Sequence, residues 1–180
     1  MTDRQRLHQL LLDLSLQRGE FTLASGRTSS YYLDCRRTTL HPEGAWLVAA
    51  VILDCIAANA LRAEAIGGLT LGADPIAAAV AAVSHHQGRP LPAFIVRKAS
   101  KDHGTRRRIE GATVAGKTVI VVDDVVTTAE STLEAIGAVR EAGGVVSAAI
   151  CLVDREEGGT ERLADLPFYP IFRRRDLLGE

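Results

Sequence analysis

The chain has 180 residues, which is enough for one domain with a substantial hydrophobic core. Hydrophobic residues make up 47% of it and charged residues 24%, a balance that excludes a wholly disordered protein. The formal net charge of -1 excludes a protein that coats nucleic acid through general basicity. The longest apolar run, residues 45–53, is too short to cross a bilayer, so we expect no membrane partner.

The three cysteines predict a reducing compartment. Cys35, Cys55 and Cys151 are widely spaced and contain no C-x-x-C pair, which argues against a disulfide scaffold or a zinc knuckle. The first residues do not form the apolar region of a signal peptide. We therefore expect a cytoplasmic protein.

The first half of the chain predicts helices, short strands and a turn. Leucines at helical spacing predict an opening helix that begins after Thr2 or Asp3 and ends by Gly19. Short strands are expected at residues 21–23 and 31–33. Pro42 opens a second helix over residues 43–61, and the pair Asp74-Pro75 begins a third over residues 76–86, with Asp74 as its cap.

Apolar strands alternate with helices through the remainder. Strands are predicted at residues 65–67, 93–96, 118–122 and 145–153, and a helix at residues 130–142 ends before two glycines. This alternation predicts an α/β protein with a mostly parallel sheet covered on both faces. The polar residues 97–111 fit no element and are expected to form a functional loop. We find no linker, so we expect residues 1–180 to form one domain.

Two acids followed by a hydroxyl-rich turn are the strongest chemical signal. Asp123 and Asp124 follow an apolar strand, and the small residues 127–131 lead into the next helix. Ligands of parallel sheets bind beyond the carboxyl ends of the strands, and a helix N-terminus presents free N–H groups to a phosphate. The acids would repel a phosphate, so they suit sugar hydroxyls, or a magnesium ion reached through water.

A cationic segment is the second signal. Residues 97–111 hold six cationic and two acidic side chains, a charge that attracts pyrophosphate. No aromatic residue alternates with the basic ones, so we expect no nucleic-acid partner. For residues 106–108 a simple solvated loop remains an equal alternative.

Two further strand ends are weaker signals. Arg155, after the strand at residues 145–153, could bind a carboxylate or a planar polar ring, although a surface salt bridge is the simpler interpretation. The glycine-rich residues 67–72 could cradle an anion or permit close helix–strand packing. Both alternatives stay open at this point.

Together these motifs resemble the orotate branch of the type I phosphoribosyltransferases. The run V-V-D-D-V-V-T-T at residues 121–128 is similar to the family's motif for phosphoribosyl pyrophosphate (PRPP). The additional matches are F-T-L-A-S-G-R at 21–27, Y-Y at 31–32, R-K at 97–98, K-D-H-G at 101–104 and V-D-R at 153–155. The resemblance spans most of the chain and implies the family's fold, with a small N-terminal hood.

The resemblance implies transfer of a phosphoribosyl group from PRPP to orotate with Mg²⁺, in the biosynthesis of UMP. It implies catalytic roles for Lys101, His103, Asp123 and Asp124, with His103 on the leaving group, and orotate contacts from Thr127 and Arg155. The PRPP contacts that it implies come from Arg97, Lys98, Lys101, His103, Asp123, Asp124, Val125, Val126, Thr127, Thr128, Ala129, Glu130 and Ser131. Magnesium would be bound mainly through PRPP and water, and a homodimer would share its sites.

The chain departs from the family pattern at three positions. Some members carry lysines where this chain has Ala24 and Leu71, and glycine where it has Ala129, a residue that restricts positive φ. The alternatives are a phosphoribosyltransferase for another nucleobase and a PRPP-sensing regulator without turnover. Arg155 and the tyrosines argue against the first, and Lys101 with His103 argues against the second.

Overall fold

The computed structural model describes residues 1–22, 28–98 and 108–179. The N-terminal part contains these elements: α1 (Asp3–Leu10), a π-helical turn (Leu11–Ser15), β1 (Leu16–Thr22), β2 (Thr28–Leu33), α2 (Arg36–Thr39) and α3 (Pro42–Ala58). Strands β1 and β2 pair in an antiparallel two-stranded sheet, which is the small N-terminal hood.

The opening helix begins as predicted and ends earlier. Thr2 is its N-cap, and its side chain and that of Gln5 form a capping box. The chain becomes extended at Leu16, where the pairing of β1 with β2 begins. The prediction that Gly19 stops the helix is therefore wrong, because Gly19 lies inside β1.

The second part forms the central sheet and its remaining helices. Its elements are β3 (Ala65–Leu69), α4 (Ala73–His86), β4 (Ala93–Val96), β5 (Ile109–Gly111), β6 (Thr118–Val126), α5 (Glu130–Glu141), β7 (Val145–Asp154), α6 (Gly159–Arg162), β8 (Phe168–Arg173) and α7 (Arg174–Leu178). The six strands lie in the order β5-β4-β3-β6-β7-β8, and only the β4–β5 pair is antiparallel. The prediction of a mostly parallel sheet flanked by helices is confirmed.

Several predicted boundaries need correction. Strand β6 continues past residue 122, because Val125 and Val126 still pair with β7. Residues 109–111 are not loop, since they form β5 against β4. Helix α4 begins at Ala73 with Gly72 as its N-cap, so the prediction of Asp74 as the cap is wrong. Strand β8 and the short helices α2, α6 and α7 were not predicted.

Alternate residues of β6 pack into two apolar layers, one on each face of the sheet. Ile120 and Val122 face the layer that contains α1, α3 and α4, while Val119 and Val121 face the layer that contains α5. Full burial of such side chains contributes about 1.5–3 kcal/mol each, so β6 is firmly fixed between the layers. None of the helices in the described ranges has the length and apolar character needed to cross a membrane.

The last strand of the sheet is covered by the opening helix. Arg4 of α1 donates a hydrogen bond to the backbone carbonyl of Ile171 in β8. The Arg4 guanidinium also lies 4.7 Å from the ring centroid of Phe172. His8, one turn later, forms a 2.8 Å hydrogen bond through Nε2 with the Asp176 carbonyl. These contacts hold α1 against the end of the sheet.

Candidate active site

The carboxyl ends of three parallel strands bring the predicted motifs to one edge of the sheet. Asp123 and Asp124 lie near the end of β6, the glycine-rich residues 67–72 follow β3, and Arg155 follows β7. The Arg155 N–H donates a 2.8 Å hydrogen bond to the Val126 carbonyl, which joins the ends of β6 and β7. This edge is where ligands of parallel sheets bind.

The acid pair lies inside β6 rather than after it, and both of its carboxyl groups are largely removed from water. Asp123 Oδ1 accepts the Asp124 N–H at 3.0 Å, and Asp123 Oδ2 accepts the Thr132 hydroxyl at 2.9 Å. Asp124 Oδ1 accepts the Val125 N–H at 2.9 Å. These bonds fix the orientation of two adjacent carboxyl groups.

Burial and mutual repulsion change the acidity of this pair. Desolvation, followed by the nearby Asp124 carboxylate, raises the pKa of Asp123 to about 7, although the Thr132 hydrogen bond opposes the rise. Desolvation also raises the pKa of Asp124. Carboxyl groups in such surroundings suit a ligand that donates hydroxyl hydrogen bonds or carries positive charge, and they would repel a phosphate.

The glycine-rich link passes directly against the acid pair. A methyl group on Gly72 would lie 2.4 Å from Asp124 Oδ1 and 3.0 Å from Asp123 Oδ1. A methyl group on Gly68 would lie 2.1 Å from the Val122 carbonyl oxygen. The close-packing interpretation of these glycines is therefore confirmed, and an anion cradle stays a prediction.

A hydrogen bond between Thr70 in this link and Asp74 in the first turn of α4 orders the same segment. The Thr70 hydroxyl donates a 2.6 Å hydrogen bond to Asp74 Oδ2. Asp74 Oδ1 is buried and has no hydrogen-bond partner among the described residues. The peptide bond between Thr70 and Leu71 is cis, and Leu71, in place of a family lysine, is 69% exposed.

The turn at residues 127–131 leads from β6 into α5. Ala129 is the N-cap of α5 and adopts φ 60°, so alanine takes the left-handed conformation that glycine favours. Thr128 and Ser131 are exposed, and the Thr128 carbonyl accepts a 2.7 Å hydrogen bond from Arg162 Nη1. The first N–H groups of a helix have no intrahelical acceptor, so they are available to an oxyanion.

Arg155 lies in a largely apolar slot between the hood and the C-terminal helix, and this slot is closed to a molecule the size of water. Its side chain is only 13% exposed, and its Nη2 lies 2.8 Å from Glu157 Oε1. Its guanidinium lies 5.0 Å from the ring centroid of Tyr31. Arg155 Nε is buried and meets no acceptor in the part of the chain that the structure describes. The salt-bridge interpretation is thus correct about an acidic partner and wrong about a surface position.

The basic segment is only partly described. Arg97 and Lys98 are exposed beyond the end of β4, and Arg97 Nη1 lies 3.6 Å from Glu110 Oε1. Lys101 and His103 lie outside the described residues, as does Ala24, so their predicted roles are untested.

Arg108 has a structural partner instead of a solvated position. Its Nη2 donates a 2.7 Å hydrogen bond to Glu134 Oε1 of α5, and its Nη1 lies 3.7 Å from Glu141 Oε2. Arg108 therefore joins β5 to α5. The alternative of a solvated loop is wrong for this residue.

Sequence reasoning missed Thr132 altogether, and it did not find the contacts of Tyr31 and Gly72. Thr132 donates a hydrogen bond to Asp123, Tyr31 lies against the Arg155 guanidinium, and Gly72 leaves no room for a side chain beside the two acids. Thr132 could have been found from its position, since the third residue of a helix that follows a strand end can turn back toward that strand. No local signal pairs Tyr31 with Arg155, because the two are far apart in the chain.

Comparison with known proteins identifies one family. The family described as phosphoribosyl transferase domain matches residues 52–169. An orotate phosphoribosyltransferase of Streptomyces coelicolor is 47% identical over 166 residues, which cover 92% of this chain and 90% of that protein. One from Nostoc is 44% identical over 179 residues, which cover 98% of this chain and 85% of that protein.

Solved structures show the same similarity. The orotate phosphoribosyltransferase of Mycobacterium tuberculosis in complex with PRPP has a TM-score of 0.83 and 38% identity, with 98% of this chain and 99% of that chain covered. Adenine phosphoribosyltransferase from Leishmania donovani shares the fold at a TM-score of 0.69 and 16% identity, with 98% of this chain and 84% of that chain covered. The fold alone therefore extends beyond enzymes named for orotate.

Proposed function

Because the chain belongs to the phosphoribosyltransferase family, on its orotate branch, we propose that its site transfers the phosphoribosyl group of PRPP to orotate. The products are orotidine 5′-phosphate and pyrophosphate, as in UMP biosynthesis, and the enzyme class is that of a pentosyl-transferring glycosyltransferase. The observation that carries the proposal is the adjacency of a buried acid pair and a phosphate-type turn at one sheet edge.

The sugar phosphate of PRPP would lie along this edge. Asp123 and Asp124 accept the ribose hydroxyls, and residues 125–131 enclose the 5-phosphate with N–H and hydroxyl donors. Displacement at the anomeric carbon passes through an oxocarbenium-like state, whose positive charge the two carboxylates stabilise. The repulsion between carboxylates and phosphate keeps the two ends of the ligand in a single orientation.

Orotate would bind between Thr127 and Arg155. The unpartnered Nε of Arg155 supports an acceptor group of the base at that point, beside an apolar slot that is closed in this structure. Stacking against Tyr31 limits the rotation of the guanidinium, so the ligand meets a preorganised donor. The anionic substrate then competes with Glu157 for the same cation.

Pyrophosphate would be held by Arg97, Lys98, Lys101 and His103, with His103 in contact with the leaving group. The described residues contain no group of three or more His, Cys, Asp or Glu side chains that could hold a metal ion. The oxygen donors present fit Mg²⁺ carried by PRPP and reached through water, and no residue of this chain is assigned as its direct ligand. When bound, Mg²⁺ would neutralise the negative charge that develops on pyrophosphate.

The same proposal includes one domain over residues 1–180 and a homodimer with shared sites in the cytoplasm. Leu7 and Leu11 of α1 pack into the same apolar layer as Ile150 of β7, which supports a single domain. Leu40 and Trp46, at the α2–α3 junction, are 69% and 51% exposed, and exposed apolar side chains of this size favour a protein interface.

The test is an assay of the purified protein with orotate, PRPP and Mg²⁺, followed by the loss of orotate absorbance. We expect consumption of orotate that depends on both PRPP and the metal. Adenine, hypoxanthine and uracil are tested in parallel under the same conditions. Turnover of one of these bases without turnover of orotate would overturn the substrate assignment, and PRPP binding without any turnover would favour a regulator.

A further inference from the structure

In the described part of the chain, a side-chain hydrogen bond connects the two halves of the site, which are the acid pair of β6 and the turn at residues 127–131. Thr132 lies on α5, three residues after its N-cap Ala129, and its hydroxyl donates to Asp123 Oδ2 at 2.9 Å. We propose that Thr132 is a positioning residue that fixes the spacing between the acid pair and the phosphate-type turn. The proposal rests on the proposed function, since it concerns the ligand that spans both halves.

Because both partners are buried, a water molecule from solvent cannot replace the Thr132 hydroxyl as the donor to Asp123. Thr132 is 2% exposed and Asp123 is 6% exposed. The other Asp123 oxygen already accepts the Asp124 N–H at 3.0 Å, so the backbone of β6 holds one oxygen and the helix holds the other. Loss of the Thr132 hydroxyl would leave a buried carboxyl oxygen without its donor, a costly state.

The bond joins two elements whose other connections are the turn itself and apolar packing between β6 and α5, neither of which fixes the Asp123 carboxyl group. Residues 127–129 link β6 to α5, and Ala129 at φ 60° is a strained position. The first helical turn supplies the N–H groups for phosphate, while β6 supplies the carboxylates for hydroxyls. A ligand that carries a phosphate and sugar hydroxyls at a fixed distance needs both elements held in register.

Under this proposal, ligands differ in whether they contact one half of the site or both halves. Ribose 5-phosphate engages the turn and the acid pair together, whereas inorganic phosphate engages the turn alone. A variant that releases Asp123 from α5 therefore weakens the first ligand and spares the second. A general distortion of the turn would weaken both ligands alike.

The experiment compares T132V, which removes the hydroxyl and keeps the shape, with T132S, which keeps the hydroxyl. Dissociation constants for ribose 5-phosphate and inorganic phosphate are measured by isothermal titration calorimetry on the full chain. We expect T132V to weaken ribose 5-phosphate about tenfold, the effect of one hydrogen bond to a buried charge, and to leave phosphate within about twofold. T132S should bind both ligands as the unmodified chain does.

A matched control is available on the next strand. The Thr160 hydroxyl donates to Asp154 Oδ2 at 2.9 Å, a bond of the same type that does not join the two halves. T160V should therefore leave both dissociation constants unchanged. Thermal unfolding of each variant reports its folding, and if T132V does not fold, Thr132→Ala is compared with T132S in the same way.

The outcomes separate the two proposals. Equal weakening of both ligands by T132V, no weakening of either, or failure of T132S to restore binding would overturn the positioning role while the proposed function stands. Absence of ribose 5-phosphate binding to the unmodified chain would overturn the proposed cradle, and the positioning role with it.

Discussion

Asp123 shows how one buried residue links stability to pH. Its pKa is raised from 3.8 to about 7, chiefly by desolvation. Between these pH values the folded chain holds a proton that the unfolded chain has already released. The free energy of unfolding therefore falls as pH rises through this window, by at most about 1.4 kcal/mol per pH unit.

Asp123→Asn removes this titration and should flatten the pH dependence. We expect the unmodified chain to lose stability relative to the variant between about pH 5 and about pH 7, because only its carboxyl group must lose a proton while buried. Urea unfolding at a series of pH values measures the difference, and Asp124 remains in both proteins. Parallel stability curves would show that Asp123 titrates normally.

Substitution of Arg155 tests whether orotate binds at the apolar slot between the hood and the C-terminal helix. Arg155→Lys keeps the charge and removes the planar fork that lies against Tyr31. We expect the KM for orotate to rise about tenfold or more and the KM for PRPP to stay within about twofold. The control is Arg175→Lys, since Arg175 pairs with Glu156 outside the slot. A change in the KM for PRPP alone would place Arg155 elsewhere in the reaction.

At the scale of elements, the sequence predicted the central strands well and the peripheral elements poorly. Strand β4 has its predicted boundaries, because its short apolar run lies between Pro92 and the charged Arg97. Strand β6 extends beyond its apolar run, since pairing with β7 holds Asp123 and Asp124 in extended conformation. Strand β8 was missed because Pro170 and Arg173 interrupt its pattern, and only its neighbour β7 makes it a strand.

The candidate site shows a similar contrast between residues that the sequence could predict and contacts that it could not. The acid pair, the turn and Arg155 could be predicted because each ends or follows a strand of a parallel sheet. Contacts between distant segments could not be predicted, as the pair Tyr31 and Arg155 illustrates. The sequence marked Ala129 as a position where some family members have glycine, and the structure shows that alanine adopts the positive φ that it usually avoids.

Substitution of Gly72 tests how closely the link between β3 and α4 must approach the acid pair of β6. Gly72→Ala places a methyl group 2.4 Å from Asp124 Oδ1, so the link or the acid must move. We expect kcat/KM for PRPP to fall about a hundredfold, as displacement of reacting groups by about 1 Å does elsewhere. Steady-state kinetics with both substrates measure this loss.

Gly137→Ala is the matched control for that substitution. Gly137 lies inside α5 and a methyl group there would meet nothing within 4 Å. We expect unchanged kinetics and a free energy of unfolding higher by about 1 kcal/mol, because alanine is the better helix former. Full activity of Gly72→Ala beside this control would mean that the link tolerates displacement from the acid pair.

At the scale of the whole molecule, the sheet edge provides only part of the proposed machinery. The acid pair, the turn and Arg155 lie together, whereas the cationic segment leaves the sheet at β4, two strands away from β6. The proposed homodimer assigns this segment to the site of the neighbouring protomer.

Mixing of two inactive variants tests whether sites are shared. We expect a Lys101→Ala chain mixed with an Asp123→Asn, Asp124→Asn chain to recover about a quarter of full activity, since half of the dimers are mixed and each has one intact site. Assays before and after mixing measure the recovery. Mixing Lys101→Ala with His103→Ala is the control and should recover nothing, because every site then contains one altered segment. Absence of recovery in the first mixture would assign each site to one chain.

The contact between Arg4 and β8 has a consequence for how copies of this chain associate. An outermost strand with open backbone groups invites a second sheet to continue it, which leads to fibrous aggregation. Here Arg4 occupies the Ile171 carbonyl, and Pro170 supplies no N–H to an incoming strand. Growth of the sheet past β8 is thereby opposed at these two positions, so this edge is a poor template for a fibre of stacked copies.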